Sequence, residues 1–334
     1  MNLDFLEYTG RRYFWNQGYR GQNVIVAVID SGIVNHPELD GRILPGKSFF
    51  NGSIGNNYAD DFGHGTHVSG TVAGTTCGIA PQAQILPLKA LDFWGYGQAS
   101  DVASALDYIR TETDADIVNL SIGYPENMPD IDKLEIAINK CVDAGIVVIC
   151  AAGNTGNDDN IYPGKFQSPI TVGAVDYYKK AAIFTTESDE VDVCQIGVDV
   201  WSCDLHNGYT MLSGTSMATP IVTGIAALLI SKYKALYGKK IPEPLLYEML
   251  KMSCIDVEIP GIDPKTGNGF CTLRDTHIIE MQDGDYDVKV DGKIHFSDVA
   301  PQILNGRFMM PMRFAAESCG GIADWNDPIG KVII

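Results

Sequence analysis

Basic residues are scarce in this chain. Its 334 residues carry 24 Lys+Arg against 42 Asp+Glu, a formal charge of −18. A chain that acidic is a poor general binder of nucleic acid and of anionic membrane; the charge reads first as a solubility device and only weakly as a preference for neutral or basic partners. Long apolar runs are missing too. No segment reaches the roughly 18 continuous apolar residues of a membrane span, so no membrane insertion is expected. The opening stretch MNLDFLEYTGRRYFWNQGYRG lacks the apolar core of a secretory leader. As written, the chain is expected to stay in the cytoplasm, or to be secreted or surface-bound if a leader was removed. The 8 cysteines include no CxxC pair, and their spacing gives no disulfide framework. Several lie in apolar runs, as Cys150 does in VVICAA, so most read as buried thiols of a reducing compartment.

What is present is a globular composition, 45% hydrophobic and 20% charged, with material for one large domain and a small one. NVIVAVID (23–30) is short, apolar and β-branched, and reads as a buried strand. QILPLKAL (84–91), DIVNLSIG (116–123), IVVICAAGN (146–154) and SPITVGAVD (168–176) read the same way. Between them, GHGTHVSGTVAGTT (63–76) reads as a tightly packed helix of small residues. ASDVASALDYIRTE (99–112) has helical period with Ser100 or Asp101 as its N-cap, and KLEIAINKCVDAG (133–145) is an amphipathic helix closed by Gly145. Apolar strands alternating with helices predict an α/β fold, a parallel β-sheet sandwiched by helices. Such sheets carry their sites at the carboxyl ends of the strands. Past Leu273 the chain turns acidic and glycine-punctuated, as in DGDYDVKVDGK (283–293). A boundary near 277–285 would separate a large domain, 1–276, from a small α+β C-terminal domain, 285–334.

Three polar residues stand at element ends. Asp30 closes the first strand, His64 opens a glycine-flanked helix, and Ser216 opens the helix of SGTSMATPIVTGIAALLIS. Acyl transfer needs such a set. A serine hydroxyl is not nucleophilic near neutrality unless a base takes its proton. Imidazole is that base, and a carboxylate fixes its tautomer and stabilises the imidazolium. Asn154, in AAGN at another strand end, offers a side-chain amide to the oxyanion, and the Ser216 backbone N–H offers a second donor. The helix dipole favours negative charge beside Ser216, and Gly214 lets a peptide backbone come close. Each residue alone has a plainer reading: a turn for Asp30 and Asn154, a helix-start or packing role for His64, an N-cap for Ser216.

The motifs VAVIDSGI, GHGTHVSGTVAG, SIG, AAGN, YPG and SGTSMATP stand in the order and contexts of the subtilisin-like serine proteases. The resemblance runs from about residue 12 to about residue 275. It implies a serine endopeptidase working through an acyl-enzyme, with Asp30, His64 and Ser216 as the triad and Asn154 as oxyanion donor. His67 takes the place of the family's supporting histidine. The alternative is a catalytically silent scaffold of the same fold that only binds peptides; an esterase or transpeptidase would use the same acyl-enzyme. The family binds polypeptide substrates as an added strand. The segments implied are Leu120–Gly123 and the stretch around Gly95–Gln98, which makes Ser121, Ile122, Gly123, Gly95, Tyr96, Gly97 and Gly214 substrate contacts. The pocket for the residue before the scissile bond would be walled by Ser121–Gly123 and by Ala151, Ala152 and Gly153, with its floor near Ile161. A branched floor implies a shallow pocket for small to medium apolar side chains. Thr155, where some relatives carry a rim acid, implies weak attraction for basic ones.

Asp60 and Asp61 either face substrate or lie on a solvated loop. His36, His206 and His277 read as loop residues, and Asn51-Gly52-Ser53 as a turn rather than a glycosylation site. Ile221 replaces a histidine common in relatives, with little effect expected. No cofactor is required for the chemistry. Structural calcium is doubtful: only Thr75-Thr76-Cys77 lies where many relatives carry a longer loop around a tight ion. Glu38 nonetheless holds the place of a carboxylate ligand, and the acidic composition leaves weaker sites open. About 20 residues precede the first strand, fewer than the prosegment that secreted relatives carry, so the expectation is either a mature form or a chain that folds unaided. The tail, VDGKIHFSDVAPQILNGRFMMPMRFAAESCGGIADWN, resembles the copper amine oxidase N-terminal-like domain. That implies packing or attachment, with a cell-surface or protein partner. Its soft ligands, His295 and Cys319, are too few for copper. Phe308, Met309, Met310, Met312 and Phe314 read as core.

Overall fold

The computed structural model describes residues 5–273 and, beyond them, five short strands. The chain divides into two compact units, Met1–Lys234 with Lys239–Arg274, and Asp275–Ile334 with Ala235–Gly238.

The first unit contains helices α1 (Arg11–Asn16), α2 (His64–Ala73), α3 (Ala99–Glu112), α4 (Ile131–Asp143), α5 (Thr215–Tyr237) as far as Lys234, and α6 (Glu243–Met252). Its strands are β1 (Ile25–Asp30), β2 (Lys47–Phe50), β3 (Ser53–Gly55), β4 (Gln84–Lys89), β5 (Ile117–Leu120), β6 (Tyr124–Pro125) and β7 (Val147–Ala151). They continue with β8 (Ile161–Tyr162), β9 (Ile170–Val175), β10 (Val191–Ile196), β11 (Val200–Cys203), β12 (Tyr209–Leu212), β13 (Cys254–Ile255) and β14 (Phe270–Cys271). Ten strands form one sheet in the order β13-β14-β10-β9-β7-β5-β1-β4-β2-β3. The two end pairs are antiparallel and every pairing between them is parallel.

This is the expected α/β sandwich. The central strands β1, β4, β5, β7 and β9 are buried almost throughout and mostly apolar because both faces are covered there. Alternation sends Ala27, Ile29, Leu86, Leu88, Val118, Leu120, Val148 and Cys150 into one core with α3 and α4. On the other face Thr223 of α5 donates to Asn119 of β5 at 2.8 Å. α5 has an 18-residue stretch with mean hydropathy 1.3, long and apolar enough by composition to cross a membrane, yet 94% of that stretch is buried in the protein. The chain adds strands to one side of β1 through β4 and β2, and to the other through β5, β7, β9 and β10. The order therefore reverses at β1/β5, where α/β sheets open a crevice beyond the strand carboxyl ends.

α3 has the expected bounds, but its N-cap is Gln98, without a side-chain cap. Asp101 is buried and accepts from the N–H groups of Asn51 and Gly52, both at 3.0 Å. The carboxylate thus holds the β2–β3 turn instead of capping its own helix. Gly145 ends α4 as expected, at φ 76°. Gly145 N–H donates to Val142 O at 2.8 Å and Ile146 N–H to Cys141 O at 3.0 Å, a Schellman closure. Of the seven described cysteines, all are free thiols, and only Cys254 is not fully buried.

In the second unit, Ile279–Glu280, Asp287–Val290 and Lys293–Phe296 form an antiparallel sheet, and Gln302–Leu304 pairs with Arg307–Met309. His277, Met310, Met312, Phe314 and Cys319 lie outside the described residues. Of His295, Phe308 and Met309 only the backbone strand is described.

Candidate active site

The rim of the sheet at β1 holds a paired carboxylate and imidazole. β1 ends at Asp30, which is completely buried. A Cβ on Gly65 would lie 2.2 Å from Gly32 O and 3.1 Å from Asp30 Cβ. Glycine there is what lets α2 begin against the end of β1. His64 Nδ1 consequently lies 2.9 Å from Asp30 Oδ1 and 3.0 Å from Oδ2. Ser31 N–H donates to Oδ1 at 2.7 Å and fixes the carboxylate. With Asp30 accepting from Nδ1–H, Nε2 is the nitrogen left to accept a proton. Burial works against a charged His64, but the Asp30 charge, their hydrogen bond and the Asp60 charge together outweigh it and raise the pKa.

Ser216 occupies a singular place. From Thr215 to Tyr233 every residue of α5 is buried except this one. Pro220 lies one turn further on and has no N–H to give to the Ser216 carbonyl. That carbonyl instead accepts from Ser121 Oγ at 2.9 Å, while Ser216 Oγ donates to Ser121 O at 3.2 Å. The α5 start is thereby pinned to the end of β5. No hydrogen bond joins Ser216 to His64 in this arrangement, although both line one cavity. Asn154 Oδ1 accepts from Thr215 N–H at 2.8 Å and from Thr215 Oγ1 at 3.1 Å. Those two donors decide which end of the amide is which and leave the NH₂ unengaged. A Cβ on Gly214 would stand 3.4 Å from that nitrogen.

The neighbouring acids have structural partners. Asp60 does not face substrate or solvent: it is buried and accepts from Phe62, Gly63 and Thr66 N–H at 3.0, 2.8 and 2.9 Å and from Thr66 Oγ1 at 2.6 Å. Burial raises its pKa, but these bonds outweigh that and lower it, so it caps α2 as a carboxylate. Asp61 pairs with Lys89 at 2.6 Å. His67 is buried, and its Nε2 donates to Val200 O at 3.0 Å. Desolvation depresses its pKa to about 4, which keeps it neutral. His36 accepts from Glu38 N–H at 3.1 Å and sits 2.9 Å from Gly208 O, a loop-fixing role. Glu38 does not fit a calcium ion at the short Thr75–Cys77 loop. Its oxygens accept from Thr76 N–H and Oγ1, both at 2.6 Å, and from Tyr209 OH at 2.7 Å. Among the described residues no group of three or more His, Cys, Asp or Glu side chains converges.

Two cavities meet at His64 and Phe62. The smaller, about 300 Å³, brings together Gly95, Tyr96 and Gly97 with Ser121, Ile122 and Gly123, the two segments expected to flank a peptide. The larger, about 540 Å³, holds Ser216 and Asn154. It also holds Asp204, Leu205, His206 and Leu212 from the β11–β12 hairpin, together with Met217. Sequence reasoning missed this hairpin, and His206, read as a loop residue, lines the cleft from it. Nothing in its own sequence marks it, because only packing against α2 brings it to the site. Ala151 ends β7 and Ala152 and Gly153 follow it, with Ile161 against Gly153.

The subtilase family pattern matches residues 21–269, and the copper amine oxidase N-terminal domain pattern matches residues 262–334. An intracellular serine protease of Paenibacillus polymyxa is 38% identical over 273 residues, covering 78% of this chain and 81% of that protein. Subtilisin DY of Bacillus licheniformis is 41% identical over 235 residues, 67% of this chain and 83% of its own length. The major intracellular serine protease of Bacillus subtilis (strain 168) is 33% identical over 273 residues, 78% and 84% respectively. With a parallel sheet, a carboxylate–imidazole pair at its rim and matches of this extent, the chain belongs to the subtilase family of serine endopeptidases.

Proposed function

We propose that Ser216, His64 and Asp30 carry peptide-bond hydrolysis. The observation that supports this most is the Asp30–His64 pair at 2.9 Å beside the one unburied residue at the head of α5. The Ser216 hydroxyl leaves the Ser121 carbonyl, passes its proton to His64 Nε2 and attacks the scissile carbonyl. The oxyanion takes hydrogen bonds from the Asn154 NH₂ and the Ser216 backbone N–H. His64 returns the proton to the departing amine. A water, deprotonated the same way, then releases the acyl-enzyme. A fluorophosphonate should modify Ser216, read as a mass shift on the peptide that contains it. A chain that binds peptides without cutting them would leave that peptide unshifted.

The proposed preference before the scissile bond is for small to medium apolar side chains. A Cβ on Gly123 would meet Ile161 Cγ2 at 3.0 Å, and one on Gly153 would meet it at 2.9 Å. Ile161 thus fills the slot between the two proposed walls. Ile161→Gly should raise kcat/KM for Phe or Tyr relative to Ala at that position by about 30- to 100-fold, the worth of newly burying an aromatic ring. A wild-type enzyme that already favours Phe or Tyr strongly would defeat the shallow pocket.

The cytoplasm is the proposed compartment, supported by two relatives named as intracellular proteases. The residues after about 285 are proposed to pack or attach to a cell-surface or protein partner without binding copper.

A further inference from the structure

The smaller cavity carries the two segments expected to pair with the acyl part of a peptide, so the larger takes the part that departs. We propose that this larger cavity is a subsite for lysine or arginine directly after the scissile bond, with Asp204 as the residue that selects it. The inference rests on the catalytic reading above.

The lining is suited to a long side chain with a cationic end. Phe62, Leu205, Leu212 and Met217 supply apolar surface for an aliphatic stem, and Asp204 supplies the charge. No lysine or arginine lines the cavity. Asp204 is set in the β11–β12 turn, where its Oδ1 accepts from His206 N–H at 2.7 Å and Gly208 N–H at 2.8 Å. Those two bonds lower its pKa and keep it ionised. Oδ2 has no hydrogen-bond partner among the described residues.

The turn is held in place. Leu205 Cγ lies 3.3 Å from where a Cβ on Gly63 would be, at the very start of α2 beside His64. Behind it, Trp201 and Tyr209 stack at 4.0 Å, and Tyr209 OH is anchored on Glu38. The carboxylate is therefore a fixed feature of the cleft rather than a swinging surface acid. An exposed pair of charges is worth little, so the selectivity expected is moderate.

The test uses internally quenched peptides that differ only in the residue after the scissile bond, Lys, Leu or Glu, at about pH 8.5 to keep imidazoles neutral. The kcat/KM ratio of Lys to Glu should be about ten-fold at low salt and shrink towards two-fold in roughly 0.5 M salt. In Asp204→Asn, which keeps an oxygen for the two turn N–H groups, the low-salt ratio should fall to about two-fold. Reading the ratio within each enzyme cancels differences in folded fraction, and Ser216→Ala supplies the blank. A wild-type ratio near one, or a ratio that Asp204→Asn leaves unchanged, overturns the inference while peptide cleavage stands. Failure to cut any peptide, with Ser216 unmodified by fluorophosphonate, would overturn the catalytic reading and this one with it.

Discussion

Ser216→Ala should lower kcat by about 10⁶-fold, and His64→Ala by about as much, with no further loss when both are combined. Asp30→Ala should cost less, on the order of 10⁴. These are the magnitudes of subtilisin's own triad, where serine and histidine act as one unit. The double variant is the decisive measurement, because additive losses would mean that the two residues do not share one proton transfer. A pH profile gives a second view of the same unit. Burial disfavours a charged His64, but Asp30 and Asp60 more than offset it, so His64 holds its proton to a higher pH than the ordinary value of 6.5. The base must be neutral to accept the serine proton. kcat/KM should therefore fall as pH drops, with a midpoint above 6.5. Asp30→Asn should move that midpoint down as well as slow the reaction.

The second large effect is expected at Asn154. Asn154→Ala should lower kcat by about 10²–10³-fold with little change in KM, again the magnitude known for the oxyanion asparagine of subtilisin. The structural reason is specific to this site. Thr215 holds Asn154 Oδ1 through both its N–H and its hydroxyl, so the amide is fixed before substrate arrives. A donor that needs no reorganisation acts on the charge that develops in the transition state and not on the ground state. A loss appearing mainly in KM would show that Asn154 binds peptide instead.

The sheet strands were legible, yet the ladders stop earlier than apolar sequence suggested. The run 146–154 was expected as one strand, but β7 ends at Ala151 and Gly153 adopts φ 112°. The run 116–123 stops at Leu120 in the same way. Apolar composition reports burial, and Ser121, Ile122, Ala152 and Gly153 are buried although their strands have ended. The departure has a use: Ser121 and Asn154, just past the two ladders, are the residues that engage the start of α5. The N-cap of α3 was misread because Asp101 has a long-range partner, the β2–β3 turn, that its neighbours in sequence do not reveal.

Composition, strand–helix alternation and four short motifs were enough to fix an α/β sandwich and to single out Asp30, His64, Asn154 and Ser216. Each of those features is local, and local pattern survives in a linear string. Packing alone settled the rest. It turned Asp60 and Glu38 from open carboxylates into saturated ones, set Ile161 between Gly123 and Gly153, and carried Asp204 across from a hairpin some 140 residues after His64. Those outcomes depend on which distant groups compete for the same hydrogen bonds and the same space, and that competition exists only once the chain is folded.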